Sequence, residues 1–466
     1  MYLCTVIRQK KCGVVRIIRQ KKCANMQIIR QQKCCSNMER LIYQQLINWK
    51  ANPKRKPLVL NGARQVGKTY ILHEFASKEY ENVAYFSLDR EDSVRELFAR
   101  VTKPKDLIMS LSAISGIDIH SGSTIVVLDE IQECPQALTA LKFFHEDMPD
   151  LDIAVAGSLL GLSLHGGTSF PVGKVDMLYL YPMNFEEFLM AMGKDIMVKM
   201  LRERNTTVVE SIREEYISLL RQYYYVGGMP EVVAEYISSG EFQTVRNIQQ
   251  TILQNYRRDF SKHAPEREVP RINMVWDNIP SQLAKENKKF IYGAVRKGAR
   301  AADFEMAIEW LIDAGLIYKV NRVTKPEMPL KFYEDLDAFK LFMLDIGLLG
   351  AMVEAPAKAI LVGNDIFKEY KGAFTELYVH NELKQRGKTV YYHSVANSTI
   401  EIDFIVQAED KICPIEVKAE ENVKSKSLRT FIQNNPELKG IRISMKSRKE
   451  QDWLLNLPLY DFKYDL

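Results

Sequence analysis

Residues 56–76, KPLVLNGARQVGKTYILHEFA, hold the side chains and spacing that can grip a triphosphate. Three apolar residues, Leu58–Leu60, run into Gly62, Ala63, Arg64, Gln65, Val66, Gly67, Lys68 and Thr69. Ile71, Leu72 and Phe75 then recur at helical spacing. This is GxxxxGK[ST] between a strand and a helix, the context the motif requires. The glycines let backbone N–H groups curl around phosphate oxygens, and the helix N-terminus adds positive potential. Lys68 is expected on the β- and γ-phosphates and Thr69 on Mg²⁺, which makes ATP and Mg²⁺ the expected cofactors.

A second stretch supplies acids. STIVVLDEIQECP contains a buried-type strand, Thr124–Leu128, that ends in Asp129 and Glu130. Asp129 is expected to hold Mg²⁺, directly or through water, and Glu130 to orient and deprotonate the attacking water. A strand that merely ends in acids is the plainer alternative. In LDIAVAGSLL, Ser158 follows a third strand, Asp152–Ala156, where it could sense the γ-phosphate or serve only as turn chemistry.

A parallel sheet must position these groups. With NVAYFSLD and VDMLYLYP, five strands are expected, separated by helices, in an α/β sheet that binds its ligand at the carboxyl edge. The stretches GARQVGKT, VVLDEIQECP, AGSLL, YPMNFEEFL and YYYVGGMPEVV together resemble bacterial and archaeal predicted AAA+ ATPases with a C-terminal nuclease-like domain. The resemblance runs from about Met38 to the C-terminus. It implies a 5-1-4-3-2 strand order, ATP hydrolysis, and a site completed by an arginine from a neighbour, either a second copy or another protein. After Gly173, where relatives commonly carry that arginine, this chain has Lys174, which lacks the planar fork. Arg257 and Arg258 are other candidates, and an exposed helix face explains them equally well.

The stretch ADFEMAIEWLIDAGLIYKV places Phe304, Ile308, Leu311 and Ile312 on one helix face, closes at Gly315 and turns into a strand. Preceded by FIYGAVRKGARA, it resembles a winged helix. Arg296, Lys297 and Arg300 could contact phosphates, or could form a solvated helix turn.

Further along, Glu401 and Asp403 share a strand face, as do Glu416 and Lys418 in PIEVKA. Two adjacent strands could converge Asp403, Glu416 and Lys418 on one spot. Hard Mg²⁺ favours such carboxylate oxygens, and a lysine beside them can hold the attacking water and offset phosphate charge. Glu376, in GAFTELYVHNEL, could add a further carboxylate from a helix. The order of helix Glu, strand Asp and strand ExK resembles the PD-(D/E)xK nuclease core. Glu-x-Lys recurs elsewhere in the chain, at Glu286, Glu369, Glu382, Glu409 and Glu437, so only the strand context of Glu416 makes it notable.

The expected organisation is α/β throughout. Residues 1–37 form a repetitive basic extension. Residues 38–200 form a P-loop AAA+ parallel-sheet domain, and residues 201–335 a helical and winged-helix-like middle. Residues 336–466 form an α/β restriction-endonuclease-like domain. The expected function is an ATPase coupled to a nuclease-like module that acts on or binds nucleic acid. The alternative is an ATP-driven switch whose C-terminal domain is an inactive binding module.

Composition sets outer bounds. The 466 residues suggest about three domains at roughly 150 residues each. No apolar run approaches the ~20 residues a membrane helix needs, and a cytoplasmic protein is expected. Nine of the 64 Lys/Arg residues fall in residues 1–37, leaving 55 against 59 acids, so the body is slightly acidic. Overall charge therefore gives no argument for nucleic acid. Residues 1–37 repeat IRQKKC, IRQKKC and IRQQKC with a period of eleven, which reads as translated upstream repeats with synthesis starting at Met38. The cysteines make no CxxC pair, so zinc is not expected.

Overall fold

A computed structural model of the chain describes residues 38–158, 171–285, 289–362, 368–395, 400–419 and 425–466. The expectation for the repetitive segment 1–37 lies outside the described residues. The first sheet contains β1 (Leu58–Asn61), β2 (Asn82–Ser87), β3 (Thr124–Asp129), β4 (Asp152–Gly157) and β5 (Asp176–Tyr179). They are ordered β5-β1-β4-β3-β2 and all pair in parallel. This is the expected fold.

The apolar runs of β3 and β4 arise because both faces of the sheet are covered. Leu58, Leu60, Ile125 and Val127 enter one core together with Phe75 of the helix Lys68–Glu79. Their neighbours Val59, Val126 and Leu128 enter a second core with Leu141 and Phe144 of the helix Pro135–Asp147. Alternation along each strand thus divides the side chains between two layers of helices.

Residues 213–313 are mainly helical. The long helix Phe242–His263 buries Val245, Ile252, Tyr256 and Phe260. The Phe260 ring meets Trp276 and Trp310 edge-on at 5.8 and 5.4 Å, which ties this helix to Val269–Leu283 and Ala301–Asp313. In the last of these, Phe304, Ile308 and Leu311 are buried and Ile312 is half-buried. Gly315 follows with φ +71° and the chain enters β6 (Ile317–Val323).

The second sheet has eight strands, ordered β12-β13-β11-β10-β9-β8-β6-β7. Its other members are β7 (Glu334–Met343), β8 (Val390–Ser394), β9 (Glu401–Ala408), β10 (Lys411–Val417), β11 (Gly440–Ser444), β12 (Lys449–Glu450) and β13 (Leu454–Pro458). The β6–β7 pair is antiparallel, and β6 also pairs in parallel with β8. Strands on both sides of position 335 therefore share one sheet. The helix Lys368–Gln385 packs against β7, β8 and β10.

Candidate functional site

The carboxyl ends of β1, β3 and β4 lie side by side, and the phosphate-type loop and two acids are delivered there. Gly62 sits so close to the next strand's exit that a Cβ would collide with the Leu180 carbonyl. Gly67 has φ +94° at the start of the helix Lys68–Glu79. Both positions demand glycine. The buried Lys68 Nζ donates to the carbonyls of Gly62 and Ala63 at 3.0 and 2.8 Å. Burial pushes Lys68 down to about 8, against the upward pull of Glu130 and Asp129.

Thr69 Oγ1 donates to Asp129 Oδ2 at 2.7 Å, and the Tyr85 hydroxyl donates to the same oxygen at 2.8 Å. Asp129 Oδ1 accepts the Glu130 amide at 3.0 Å. Glu130 occupies a left-handed conformation, φ +53°, directly after β3. Its Oε2 accepts from Gln132 Nε2 at 2.5 Å and from Ser158 Oγ at 3.4 Å. Lys68, Thr69, Asp129, Glu130 and Ser158 therefore meet at one edge. Tyr85 and Gln132 complete the set and escaped the sequence reading, although Tyr85 lies on a recognised strand whose alternation brings it to this face. Burial and Asp129 both raise its phenol.

Two arginines tie the loop to its surroundings, Arg40 from outside it and Arg64 from within it. Arg40, buried, donates from Nη1 to the Val66 carbonyl at 3.0 Å, from Nη2 to the Tyr181 carbonyl at 2.6 Å, and from Nε to Glu187 Oε1 at 3.1 Å. Glu187 is held in turn by a capping box with Asn184, which gives NFEE in the YPMNFEEFL stretch a structural meaning. Arg64 forms an ion pair with Asp259, and Tyr256 donates to the Arg64 carbonyl at 2.9 Å. No local pattern announced Arg40. Among the arginine-finger candidates, Arg257 pairs with Asp277, Arg258 is exposed and lies 3.5 Å from Asn255 Oδ1, and Lys174 pairs with Glu146 at 3.0 Å. Arg296, Lys297 and Arg300 are all exposed.

The second acidic group lies where β9 and β10 run antiparallel, one step beyond the Ile415–Phe404 pair. Asp403 Oδ2 accepts the Val417 amide at 2.8 Å. Lys418 Nζ lies 3.1 Å from Glu416 Oε1. Glu416 is 4% exposed and, among the described residues, its Oε2 has no hydrogen-bond partner. Burial raises the Glu416 carboxyl, against the opposing pull of Lys418. Burial alone would lower Lys418, but Asp403 and Glu416, with Glu376 behind them, hold it above its ordinary value. The four sequence candidates are therefore brought within electrostatic reach of one another. Lys340 of β7 joins them, paired with Glu401 at 2.6 Å. The signal for it was a lysine inside the apolar run AFKLFM.

Among the described residues, no three His, Cys, Asp or Glu side chains are grouped to hold a metal ion. Mg²⁺ commonly takes only one or two carboxylates and completes its shell with water and phosphate oxygens. The Thr69–Asp129 pair suits that pattern, as does the orphaned Glu416 oxygen near Asp403.

Residues 54–189 match the family model described as AAA domain. That segment is an AAA-type P-loop domain, the class that binds and hydrolyses nucleotides. Residues 217–359 match Domain of unknown function (DUF8612), and residues 371–460 match Domain of unknown function (DUF4143). Each match spans less than half of the chain. No curated protein matches it. Among solved structures, the chain is similar to the Walker-type ATPase PABY2304 of Pyrococcus abyssi, with 15% identity, TM-score 0.43, and coverage of 67% of this chain and 94% of that one. It is also similar to Cdc6p from Pyrobaculum aerophilum (12%, TM-score 0.26, 69% and 93%). A third is the Holliday junction branch migration motor RuvB of Thermotoga maritima (14%, TM-score 0.26, 56% and 81%). These likenesses carry no argument about activity. No helix among the described residues is long and apolar enough to cross a membrane.

Proposed function

We propose that the chain is an Mg²⁺-dependent AAA+ ATPase whose nucleotide state controls a C-terminal, nuclease-like module directed at nucleic acid. The observation that carries the ATPase half is the meeting of Lys68, Thr69, Asp129, Glu130 and Ser158 at the carboxyl edge of β1, β3 and β4. Loop amides from Gly62 to Thr69 would cradle the phosphates. Thr69 and Asp129 would hold Mg²⁺, which supplies charge neutralisation between the β- and γ-phosphates. Glu130 would accept the proton of the attacking water, and Ser158, on the Glu130 carboxylate, would report the γ-phosphate. An arginine from a second copy or another protein would complete the site, because Lys174 and Arg257 are already paired within the chain.

For the C-terminal half, the support is the orphaned, buried Glu416 oxygen beside Asp403 and Lys418. Asp403 and Glu416, with Glu376 near them, would hold Mg²⁺. Lys418 would orient the attacking water and offset phosphate charge. The winged-helix-like segment, with Arg296, Lys297 and Arg300 exposed, would contact the backbone of the nucleic acid. The second reading is an ATP-driven switch whose C-terminal domain only docks a partner or nucleic acid. The ion pair that Lys418 already makes with Glu416 Oε1 at 3.1 Å favours it.

Phosphate release by the purified full chain with ATP and Mg²⁺, compared with Lys68→Ala, tests the ATPase assignment. Turnover indifferent to Lys68→Ala would overturn it. Incubation with single- and double-stranded DNA and RNA, in Mg²⁺ or Mn²⁺ and with ATP present, separates the two readings. Cleavage abolished by Glu416→Ala and Lys418→Ala supports the nuclease. Binding without cleavage in the wild type supports the switch.

A further inference from the structure

The lysine at position 340 is chemically out of place. It lies within Ala338–Met343, where every side chain is buried, and its own side chain has no solvent exposure. A buried ammonium is costly unless paired, and a leucine or methionine would fill the same strand position without that cost. The charge is nevertheless well supported. Nζ lies 2.6 Å from Glu401 Oε1 and 4.7 Å from the centre of the Tyr392 ring. Burial would lower this lysine, but Glu401, Glu376 and Asp403 outweigh it and keep the group charged. Two of those three acids belong to the candidate metal site, and Glu401 stands two residues before Asp403 on the same face of β9.

We infer that Lys340 is a positioning residue of the C-terminal acidic site, a fixed internal counter-charge that orients Glu401 and limits how strongly the carboxylates attract a divalent cation. The inference rests on the metal-binding reading of Asp403 and Glu416 given above. Four carboxylates, Glu376, Glu401, Asp403 and Glu416, face Lys340 and Lys418, and Arg442 is a further cation that feels the charge of Glu416. Among the described residues an acidic surplus remains, but a small one. It attracts a cation that can still be shared with a phosphate and released. Having no exposure, Lys340 cannot touch a substrate, so its influence passes through Glu401 and through the field.

The geometry also defines the site's boundary. Lys340 lies in the segment matched at 217–359, whereas Glu376, Glu401, Asp403, Glu416 and Lys418 lie in the segment matched at 371–460. The pairing of β6 with β8 brings the two together. The acidic site is thus composite, built by both segments of one sheet.

The test is Mn²⁺ binding to the nucleotide-free full chain, followed by electron paramagnetic resonance. The relevant site is the Mn²⁺ population lost in Glu416→Gln. Removing a positive charge within several ångströms should tighten Mn²⁺ by roughly tenfold in Lys340→Met, at the effective dielectric of a protein site. Glu401→Gln should weaken it by a similar factor, and Lys340→Met/Glu401→Gln should return close to wild type. A purely structural role for Lys340 predicts the opposite sign, because loosening the sheet would weaken metal binding. Mn²⁺ affinity unchanged or weaker in a folded Lys340→Met protein overturns the inference. If that variant does not fold, Glu401→Gln and the double variant decide, and Glu401→Gln with unaltered affinity also overturns it. A wild-type protein with no Glu416-dependent Mn²⁺ removes the metal-binding reading itself. Binding that is present but indifferent to positions 340 and 401 removes only the role of Lys340.

Discussion

Asp345 Oδ2 accepts the backbone amide of Gly228 at 2.6 Å, joining two residues 117 positions apart, and its Oδ1 accepts the Leu348 amide at 2.9 Å. Gly228 belongs to YYYVGGMPEVV, the stretch that follows the ATPase domain, and Asp345 is the second residue after β7. One buried carboxylate therefore joins the helical middle to the second sheet.

That carboxylate makes stability depend on pH in a definite direction. Burial raises Asp345 to about 6, against the pull of the amides. A carboxyl whose folded value is raised favours folding most below its unfolded value near 4, and the contribution is lost as pH rises through 6. The stability advantage of wild type over Asp345→Asn should therefore shrink by about 2–3 kcal/mol between pH 4 and 6.5. Thermal melts of both proteins across that range would show it, and an advantage that grows with pH would refute it.

Glu130→Gln should still bind nucleotide while losing turnover by roughly 10²- to 10⁴-fold, because the amide keeps the hydrogen bonds but cannot take a proton. A fluorescent ATP analogue measures the first quantity and phosphate release the second. Equal loss of both would mean that Glu130 supports the loop rather than the chemistry.

Arg40→Ala should destabilise the fold by about 3–5 kcal/mol, the range for removing one partner of a buried ion pair. It leaves Glu187 unbalanced and two carbonyls, those of Val66 and Tyr181, without their donor. Arg40→Lys should recover little, since one ammonium cannot reach three acceptors set in a fork. Melting temperatures of the three proteins, with and without ATP, provide the comparison. Full recovery by lysine would show that charge alone matters there.

Gly62→Ala should abolish nucleotide binding or prevent folding, because the new methyl would meet the Leu180 carbonyl. Gly116→Ala is the control: it too has positive φ, but nothing lies within 4 Å of its added Cβ. It should cost only about 1 kcal/mol or somewhat more from backbone strain.

What could be read in advance follows from distance along the chain. The loop from Gly62 to Thr69 was legible because its strand, turn and helix are contiguous and each has its own signature. The strand Thr124–Asp129 was legible because burial on both faces leaves an unbroken apolar run. Arg40 was not, because its acceptors lie 26, 141 and 147 residues away and no local pattern encodes them. Asp403, Glu416 and Lys418 could be grouped from strand alternation within one hairpin. Lys340 could not, since its partner Glu401 lies 61 residues on and is reached only through the order of strands in the sheet.

The parallel seam between β6 and β8 has a practical consequence. A fragment beginning near residue 336 would not release a free-standing module but would tear a continuous sheet, removing β6 from between β8 and β7. Bare strand edges recruit whatever extended chain they meet. Such truncations should come out of cells sticky and clumped, while cuts made between the two sheets leave each one whole.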